Sequence, residues 1–306
     1  MKKYAILIFS LCLVVQFSHA QVTEAEEKLR AKSADTLEGW KKGGAFFVNF
    51  SQTSLTNWAA GGDNSLAING MASLFANYKK GKSIWDNSLD MGYGLMKQGN
   101  DEKFTKTDDK FDFLSKYGQH AFKSWYYSAL LNFKTQFSNG YNYPDDSVIS
   151  AFLAPAYILG ALGLDYKPND AFTAFIAPLS AKITLVNDQA LADAGAFGVD
   201  AGKKSRSEFG GYIRMAYNKN IVENINFTTK IDFFSNYLHN PQNVDINWEA
   251  LLTLKVTKFI AASINTQLIY DDDIALIEDL ESGGTKTVKS KVQFKEILGI
   301  GFTVKF

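Results

Sequence analysis

Charged side chains recur at every second position in several stretches of the sequence. Asp86 and Asp90 lie in one such stretch, and Asp108, Lys110 and Asp112 lie in the next. Because successive side chains of a β-strand point to opposite faces, charges of both signs would project from one face of each strand. The residues that share this pattern are Asp86, Asp90, Asp108, Lys110, Asp112, Lys116, Lys134, Lys230, Asp232, Glu249 and Lys255.

Two roles are open to such a face. If it turns inward, lysines and aspartates in matched numbers can pair and stiffen the interior of a small barrel. Alternatively, the same groups can line a water-filled passage and select solutes by charge. The matched numbers favour pairing, but the sequence leaves both interpretations open.

Catalytic and metal chemistry have little support in the sequence. The only cysteine, Cys12, lies in the first twenty residues, and the histidines beyond them are His120, placed in a tight turn, and His239, placed in a long loop. Neither is set beside a nucleophile on one strand face. The acidic run at residues 271–273 lacks the spacing of a calcium loop. We therefore predict no enzyme activity, no metal site and no cofactor, and keep His239 only for an unfavoured hydrolase hypothesis.

Alternation of apolar and polar residues extends over nearly the whole chain after Gly43. Alternating stretches separated by turn residues give about 12 strands, an even number, as a single-chain bacterial barrel requires. The predicted strands span residues 44–54, 65–78, 84–97, 107–118, 125–137, 148–165, 171–186, 205–217, 222–238, 244–256, 260–270 and 293–306.

The last stretch has the composition of a closing barrel strand. Its large apolar residues, Leu298, Ile300, Phe302 and Val304, alternate with small or polar ones and end on Phe306. One face would meet lipid and the other the lumen. We predict that Phe306 is a signal for insertion by the outer-membrane assembly machinery.

The segment 147–164 has no charged residue, so by length alone it could be a membrane-spanning helix. Pro155 and two glycines disfavour a helix, and a single helix among strands would leave sheet edges open. We therefore predict a strand. Since proline cannot donate to a ladder, we also predict a bulge or kink at Pro155 and at Pro178.

The amino-terminal residues predict export. Residues 1–20 combine Lys2 and Lys3, an apolar core and the sequence Ser18-His19-Ala20, which is typical of a cleaved signal peptide. Residues 21–42 are polar and rich in Glu, Lys and Ala, and predict a periplasmic leader or short helix. Without Lys2 and Lys3 the 32 basic residues become 30 against 32 acidic ones, which gives no indication of a nucleic-acid partner.

The connections between predicted strands alternate between long and tight. The tight ones carry lysines, among them Lys82, Lys123 and Lys167, whereas the long ones carry aspartates. Short periplasmic turns and longer outer loops are typical of outer-membrane barrels. The alternation therefore places the amino terminus in the periplasm.

The first half of the chain carries more specific motifs. These are G-W-K-K-G-G from Gly39, N-W-A-A-G-G from Asn57 and W-D-N-S-L-D-M-G-Y-G from Trp85. They resemble an uncharacterised family of outer-membrane barrels of the Bacteroidetes type, a domain of unknown function. The resemblance implies a barrel in the outer membrane and brings no activity or ligand.

The sequence thus predicts an all-β protein, a single antiparallel transmembrane β-barrel at residues 43–306 with a short leader. The first functional hypothesis is porin-like passage of small polar solutes, and the alternative is a plugged structural or assembly barrel that binds a periplasmic or surface partner. Expected partners are outer-membrane lipids, the assembly machinery and a periplasmic protein contacting residues 21–42.

Overall fold

The computed structural model describes residues 38–305, with gaps at residues 57–62, 100–102, 143–145, 258, 272, 274, 280–284 and 290–291. The predicted signal peptide, residues 21–37 of the predicted leader, and Phe306 lie outside the described residues. Their roles stay predictions.

Twelve antiparallel strands form one closed barrel, as the alternation predicts. Each strand pairs with its sequence neighbours in the ring, and the first strand closes on the last. The barrel strands are β1 (Gly39–Thr53), β2 (Ser65–Lys80), β3 (Ser83–Gln98), β4 (Thr105–Phe122), β5 (Trp125–Thr135), β8 (Ala156–Tyr166), β9 (Phe172–Leu185), β10 (Ser205–Val222), β11 (Ile225–Asn236), β12 (Val244–Lys255), β13 (Ile260–Tyr270) and β16 (Gln293–Lys305).

The long connections contain their own secondary structure, which the sequence did not indicate. Two small hairpins pair β6 (Gly140–Asn142) with β7 (Ser147–Ser150) and β14 (Ala275–Asp279) with β15 (Thr285–Lys289). A one-turn helix, α1 (Gln189–Asp193), follows the N-cap Asp188, whose side chain accepts a hydrogen bond from the Leu191 N–H. A 3₁₀ turn (Ala196–Gly198) comes next.

Several strand boundaries differ from the prediction, among them the ends of β4 and β10, which extend to Phe122 and Val222. Strand β1 begins at Gly39, inside the predicted leader, because the ladder with β2 continues through Gly39 and Lys79. The predicted strand at 148–165 is two elements, since residues 147–150 pair with β6 and the barrel strand starts only at Ala156. Its second part, β8, is a strand and not a helix.

The two ends of the barrel differ as predicted. Tight connections join the strands at one end, called the turn end here, where β1 begins and β16 ends. The long connections lie at the opposite end, called the loop end. Among the described residues, no helix is long and apolar enough to cross a membrane.

The outer surface of the barrel is apolar, because the alternation turns the large residues outward. Trp85, Tyr127 and Leu162 are examples, and the closing strand exposes Leu298 and Phe302. Trp40 lies 5.1 Å from Tyr78 and 5.6 Å from Trp85 between ring centroids, near the turn end. Apolar strand faces with aromatic residues near a rim are typical of outer-membrane barrels.

The prediction of a bulge is confirmed at Pro178. The pairing of β8 with β9 shifts by one residue between Leu162 and Leu164, so Gly163 faces two residues of β9. The pairing of β9 with β10 shifts at the same height. Pro155, by contrast, lies in the turn that immediately precedes β8, where it interrupts no barrel ladder.

Gly163 is predicted to be required at this bulge. A Cβ atom there would contact the Ile176 carbonyl oxygen at less than van der Waals distance, whereas one at Gly160 in the same strand would meet nothing within 4 Å. We expect Gly163→Ala to lower the free energy of unfolding by about 1–3 kcal/mol, as overpacking does. Gly160→Ala should leave it unchanged or higher. Urea unfolding in detergent micelles measures both, and equal effects would contradict the bulge geometry.

Candidate functional site: a charged lattice across the barrel interior

Ion pairs cross the full diameter of the barrel. The Lys110 ammonium on β4 lies 2.6 Å from a carboxylate oxygen of Glu249 on β12. These two strands are six positions apart in the ring in either direction. Lys230 on β11 and Asp90 on β3, also six positions apart, approach to 3.1 Å. The barrel interior is therefore bridged at mid-height by direct contacts between opposite walls.

Lys230 is the hub of this arrangement. Besides Asp90, it contacts Glu249 at 3.2 Å and Asp112 at 3.4 Å. Asp112 is almost fully buried and also accepts a hydrogen bond of 2.6 Å from the Asn132 amide. One ammonium group thus contacts three carboxylates that come from three different strands.

Asp232 connects this hub to the neighbouring wall. It accepts hydrogen bonds from the Arg214 guanidinium at 2.7 Å and from the Tyr212 hydroxyl at 2.6 Å. Lys134 lies 3.6 Å from Asp232 and 3.9 Å from Asp112. We call the whole set the central lattice; its members are Asp90, Lys110, Asp112, Lys134, Arg214, Lys230, Asp232 and Glu249, with equal numbers of cations and anions.

A second ionic group lies below the central lattice, at the turn end. Asp165 is fully buried and accepts hydrogen bonds from Lys116 at 2.8 Å and from the Thr173 hydroxyl at 2.9 Å. Lys167 pairs with Asp86 and lies 3.6 Å from Asp165. Burial alone would lower the pKa of Lys167, but the carboxylates of Asp86 and Asp165 outweigh it and raise that pKa. Lys167 lies in a tight turn as predicted, but its ammonium folds back into the barrel to pair with these carboxylates.

A third ionic group lies at the loop end, and the sequence did not single it out. Lys182 lies 2.7 Å from Asp245 and 3.6 Å from both Glu208 and Asp271. Arg206 contacts Glu208 at 2.9 Å, pairs with Asp273 and donates to the Gly198 carbonyl at 3.3 Å. Arg206 therefore ties the 3₁₀ turn of a long connection to the barrel wall.

Apolar side chains fill the space beside the central lattice. Phe175 is almost fully buried on the inner face of β9, and its ring lies 6.3 Å from that of Tyr212. Such a group on the inside of a barrel acts as a packed core. It is formed by Leu114, Leu130, Leu159, Ala161, Phe175, Ala177, Tyr212 and Phe234, all on strands β4 to β11.

The opposite part of the wall is more open. Ser73 of β2 pairs in the ladder with Asp90, which points inward, yet Ser73 itself is exposed. Small and amide residues, such as Asn69 of β2 and Gln267 of β13, also lie on the inner face of this part of the wall. Lys295 of β16 reaches across this side to Asp108 of β4 at 2.7 Å. The interior is therefore packed on one side and lightly filled on the other.

Two long connections form a small apolar cap at the loop end. Ala154, Val186 and Ala192 are fully buried there, with Leu191 and Val199 beside them. The Asn187 N–H donates to the Leu153 carbonyl at 2.9 Å, which joins the two connections. These loops are thus held by a core of their own.

All of the predicted lining residues lie on inward-facing positions, and most belong to the ionic groups described above. Asp108 pairs with Lys295, and Lys255 lies at the turn end of β12 opposite Ala261. Sequence reasoning missed Arg214, Lys182 and Asp165. The same alternation could have found all three, since Asp165 and Lys182 stand among apolar or small residues of their strand faces and Arg214 shares an inward face with Arg206 and Glu208.

His239 lies in a polar cleft at the loop end. The cleft contains no serine, threonine or cysteine among the described residues that line it, which are Glu208, Asn236, His239, Asn240, Asn243, Asp245 and Asp273. The described part of the chain also holds no cluster of three or more His, Cys, Asp or Glu side chains suited to a metal ion. His120 belongs to β4 and contacts the Lys123 carbonyl at 2.9 Å, so it is not the turn residue that was predicted.

Family comparison agrees with the resemblance predicted from the sequence. Residues 50–141 match the family described as "Protein of unknown function (DUF3078)". This region runs from β1 to β6 and includes the predicted motif at Asn57. No curated protein matches the chain.

Solved structures that resemble the fold include a porin, an outer-membrane channel and an autotransporter translocator domain. The NanC porin is 10% identical, with a TM-score of 0.38 over 85% of this chain and 98% of that one. An outer-membrane channel from Pseudomonas putida F1 is 9% identical, with a TM-score of 0.39 over 90% and 100%. The translocator domain of the autotransporter NalP from Neisseria meningitidis is 10% identical, with a TM-score of 0.35 over 92% and 95%. At these scores, the conclusions about this barrel rest on its own strands and contacts.

Proposed function

We propose that this protein is an outer-membrane barrel closed to free diffusion along its axis, which acts as a structural or assembly component and not as an enzyme. The observation that carries the proposal is the contact between opposite walls, Lys110 to Glu249 at 2.6 Å and Lys230 to Asp90 at 3.1 Å. Side chains in direct contact divide the interior at that height and leave no water-filled path through its centre. The packed apolar group beside them also fills part of the barrel interior.

Placement in the outer membrane is part of the proposal. It is supported by the closed strand ring, the apolar outer surface and the signal-like sequence of residues 1–20. Partners then reach the barrel through its loop-end cap, its outer wall or residues 21–42 in the periplasm. Assembly is proposed to use Phe306 as the insertion signal.

Solute flux tests this proposal. We expect liposomes that contain the folded protein to swell in arabinose no faster than protein-free liposomes, because the central lattice closes the interior. A porin reconstituted in the same lipid is the positive control, and heat-modifiable gel mobility shows that the barrel is folded. Swelling at a rate comparable to that of the porin would overturn the proposal.

Porin-like passage of small polar solutes is the second candidate function. The exposed, inward-facing Ser73 favours it, because it marks space on the lightly filled side of the interior. If solutes pass there, Ser73→Trp should slow swelling, whereas the same change at outward-facing Ala72 should not. A flux that neither variant alters would remove this candidate.

A further inference from the structure

The barrel is closed incompletely where its first and last strands meet. Among the described residues, the ladder between β1 and β16 has five pairs, from Ala45 with Lys305 to Asn49 with Gly301. Both strands continue beyond Asn49 and Gly301 in their other ladders. Strand β1 stays paired with β2 as far as Thr53, and β16 stays paired with β13 as far as Gln293. A notch therefore opens in the wall toward the loop end.

Exposure along β1 changes where its pairing with β16 ends. From Phe46 to Asn49 the inward residues are less exposed than their outward neighbours, as in a closed wall. All four residues from Phe50 to Thr53 are exposed, whichever way they point. The notch is thus a stretch of wall in which β1 and β16 are not paired and β1 is exposed on both faces.

Asn49 lies at the base of the notch. Its side chain is only 4% exposed, and neither its amide nitrogen nor its amide oxygen has a hydrogen-bond partner among the described residues. It rests against Gly299, where any side chain would collide with it. A buried amide without partners is costly, and Asn49 is the last residue of β1 that pairs with β16 before the notch.

The open edge of β16 has the chemistry of a strand-accepting site. Residues 293–300 pair with β13 on one side, and their exposed outward residues are the apolar Phe294, Leu298 and Ile300 and the acidic Glu296. Every second residue of such an edge presents an N–H and a C=O that point into the notch. Lipid chains offer no donors or acceptors, so within a membrane an extended polypeptide satisfies this edge and an acyl chain does not.

We propose that the notch binds an extended peptide segment of a partner protein. The segment pairs with residues 293–300 of β16 in the antiparallel direction, where β1 is no longer paired with that strand. The preferred segment alternates apolar residues toward lipid with small or polar ones toward Gly299 and Asn49. Main-chain hydrogen bonds would supply the affinity and the alternation the specificity. This proposal rests on the proposed function, because a barrel closed along its axis acts through its wall.

Cysteine crosslinking tests whether the notch is open. The predicted mature chain has no cysteine, since Cys12 lies in the signal peptide. Val48 and Phe302 are ladder partners, so the pair V48C with F302C should form a disulfide under mild oxidation. Phe50 and Ile300 would be the next partners on the same face, and F50C with I300C should not crosslink. Equal crosslinking of the two pairs would show a closed seam and overturn the proposal.

Peptide capture tests the occupant. The probe is a synthetic peptide with the sequence of residues 50–57 and cysteine in place of Gln52, added under the same mild oxidation to L298C or to F302C protein in liposomes. These two positions lie on the same strand and face and are similarly exposed, at 71% and 68%. We expect L298C to capture the peptide about tenfold faster, because strand pairing raises the effective thiol concentration.

Equal capture at the two positions would overturn strand addition. Capture of a scrambled peptide at L298C as fast as that of the probe peptide would overturn it as well. Neither result bears on the closed interior, which the swelling assay tests. Conversely, rapid arabinose flux through the wild type with selective capture at L298C would overturn the closed interior and leave the notch in place. The two proposals therefore fail separately.

Discussion

Replacing Lys230 with methionine is expected to lower the free energy of unfolding by about 3–5 kcal/mol, the cost of breaking a buried ion pair by removing one partner. Lys230 contacts Asp90, Asp112 and Glu249 within 3.4 Å. Without its charge, Asp90 loses its ion-pair partner, and the lattice is left with more anions than cations. Methionine keeps most of the volume and the apolar stem, so the loss reports on charge and not on packing.

The matched control is Lys203→Met. Lys203 lies 2.9 Å from Asp200, a comparable distance, but both side chains are largely exposed at the loop end. Exposed pairs add little to stability because water already solvates both charges. Urea unfolding in detergent micelles, followed by tryptophan fluorescence, should therefore separate the two variants clearly. If Lys230→Met is no more destabilising than Lys203→Met, the central lattice does not hold the barrel together.

The architecture could be predicted from the sequence because a barrel wall imposes a strict period of two. Lipid on one side and a polar or packed interior on the other allow no other arrangement of residues such as Asp112 between Phe111 and Phe113. The strand number, the closing strand and the inward direction of the candidate residues all follow from that period. The bulge at Pro178 follows from the missing N–H of proline.

Contacts across the interior could not be predicted in the same way. Alternation tells which face Lys110 occupies, but its partner Glu249 is 139 residues away in sequence, on a wall that only ring closure brings opposite. The turn position of Lys167 is as predicted, but it gives no sign that the side chain folds back to pair with Asp86 and Asp165. The fold of the long connections depends on apolar contacts between distant segments, such as Ala154 with Val186, that no local pattern records.

The incomplete seam between β1 and β16 is also invisible to periodicity. Both strands keep their alternation through the notch, since each is still paired on its other side. Only the length of the ladder between them shows that the two edges part. That length is set by the geometry of the whole ring.

Removing one of the two ion pairs that span the diameter is expected to convert a non-conducting barrel into a conducting one. Lys110→Ala combined with Glu249→Ala deletes one cation and one anion, so the remaining lattice stays balanced and Lys230 keeps Asp90 and Asp112. The shortened side chains leave space for water at mid-height, where opposite walls otherwise touch. The matched control, Lys103→Ala combined with Asp146→Ala, deletes an exposed loop-end pair of nearly the same length, 2.7 Å.

Planar bilayer recording of these three proteins is the most direct test of a closed interior. We expect no stepwise conductance for the wild type or for the Lys103 and Asp146 control. We expect discrete conductance steps for the Lys110 and Glu249 variant. Steady conductance of the wild type, or a Lys110 and Glu249 variant as silent as the control, would contradict a closed interior.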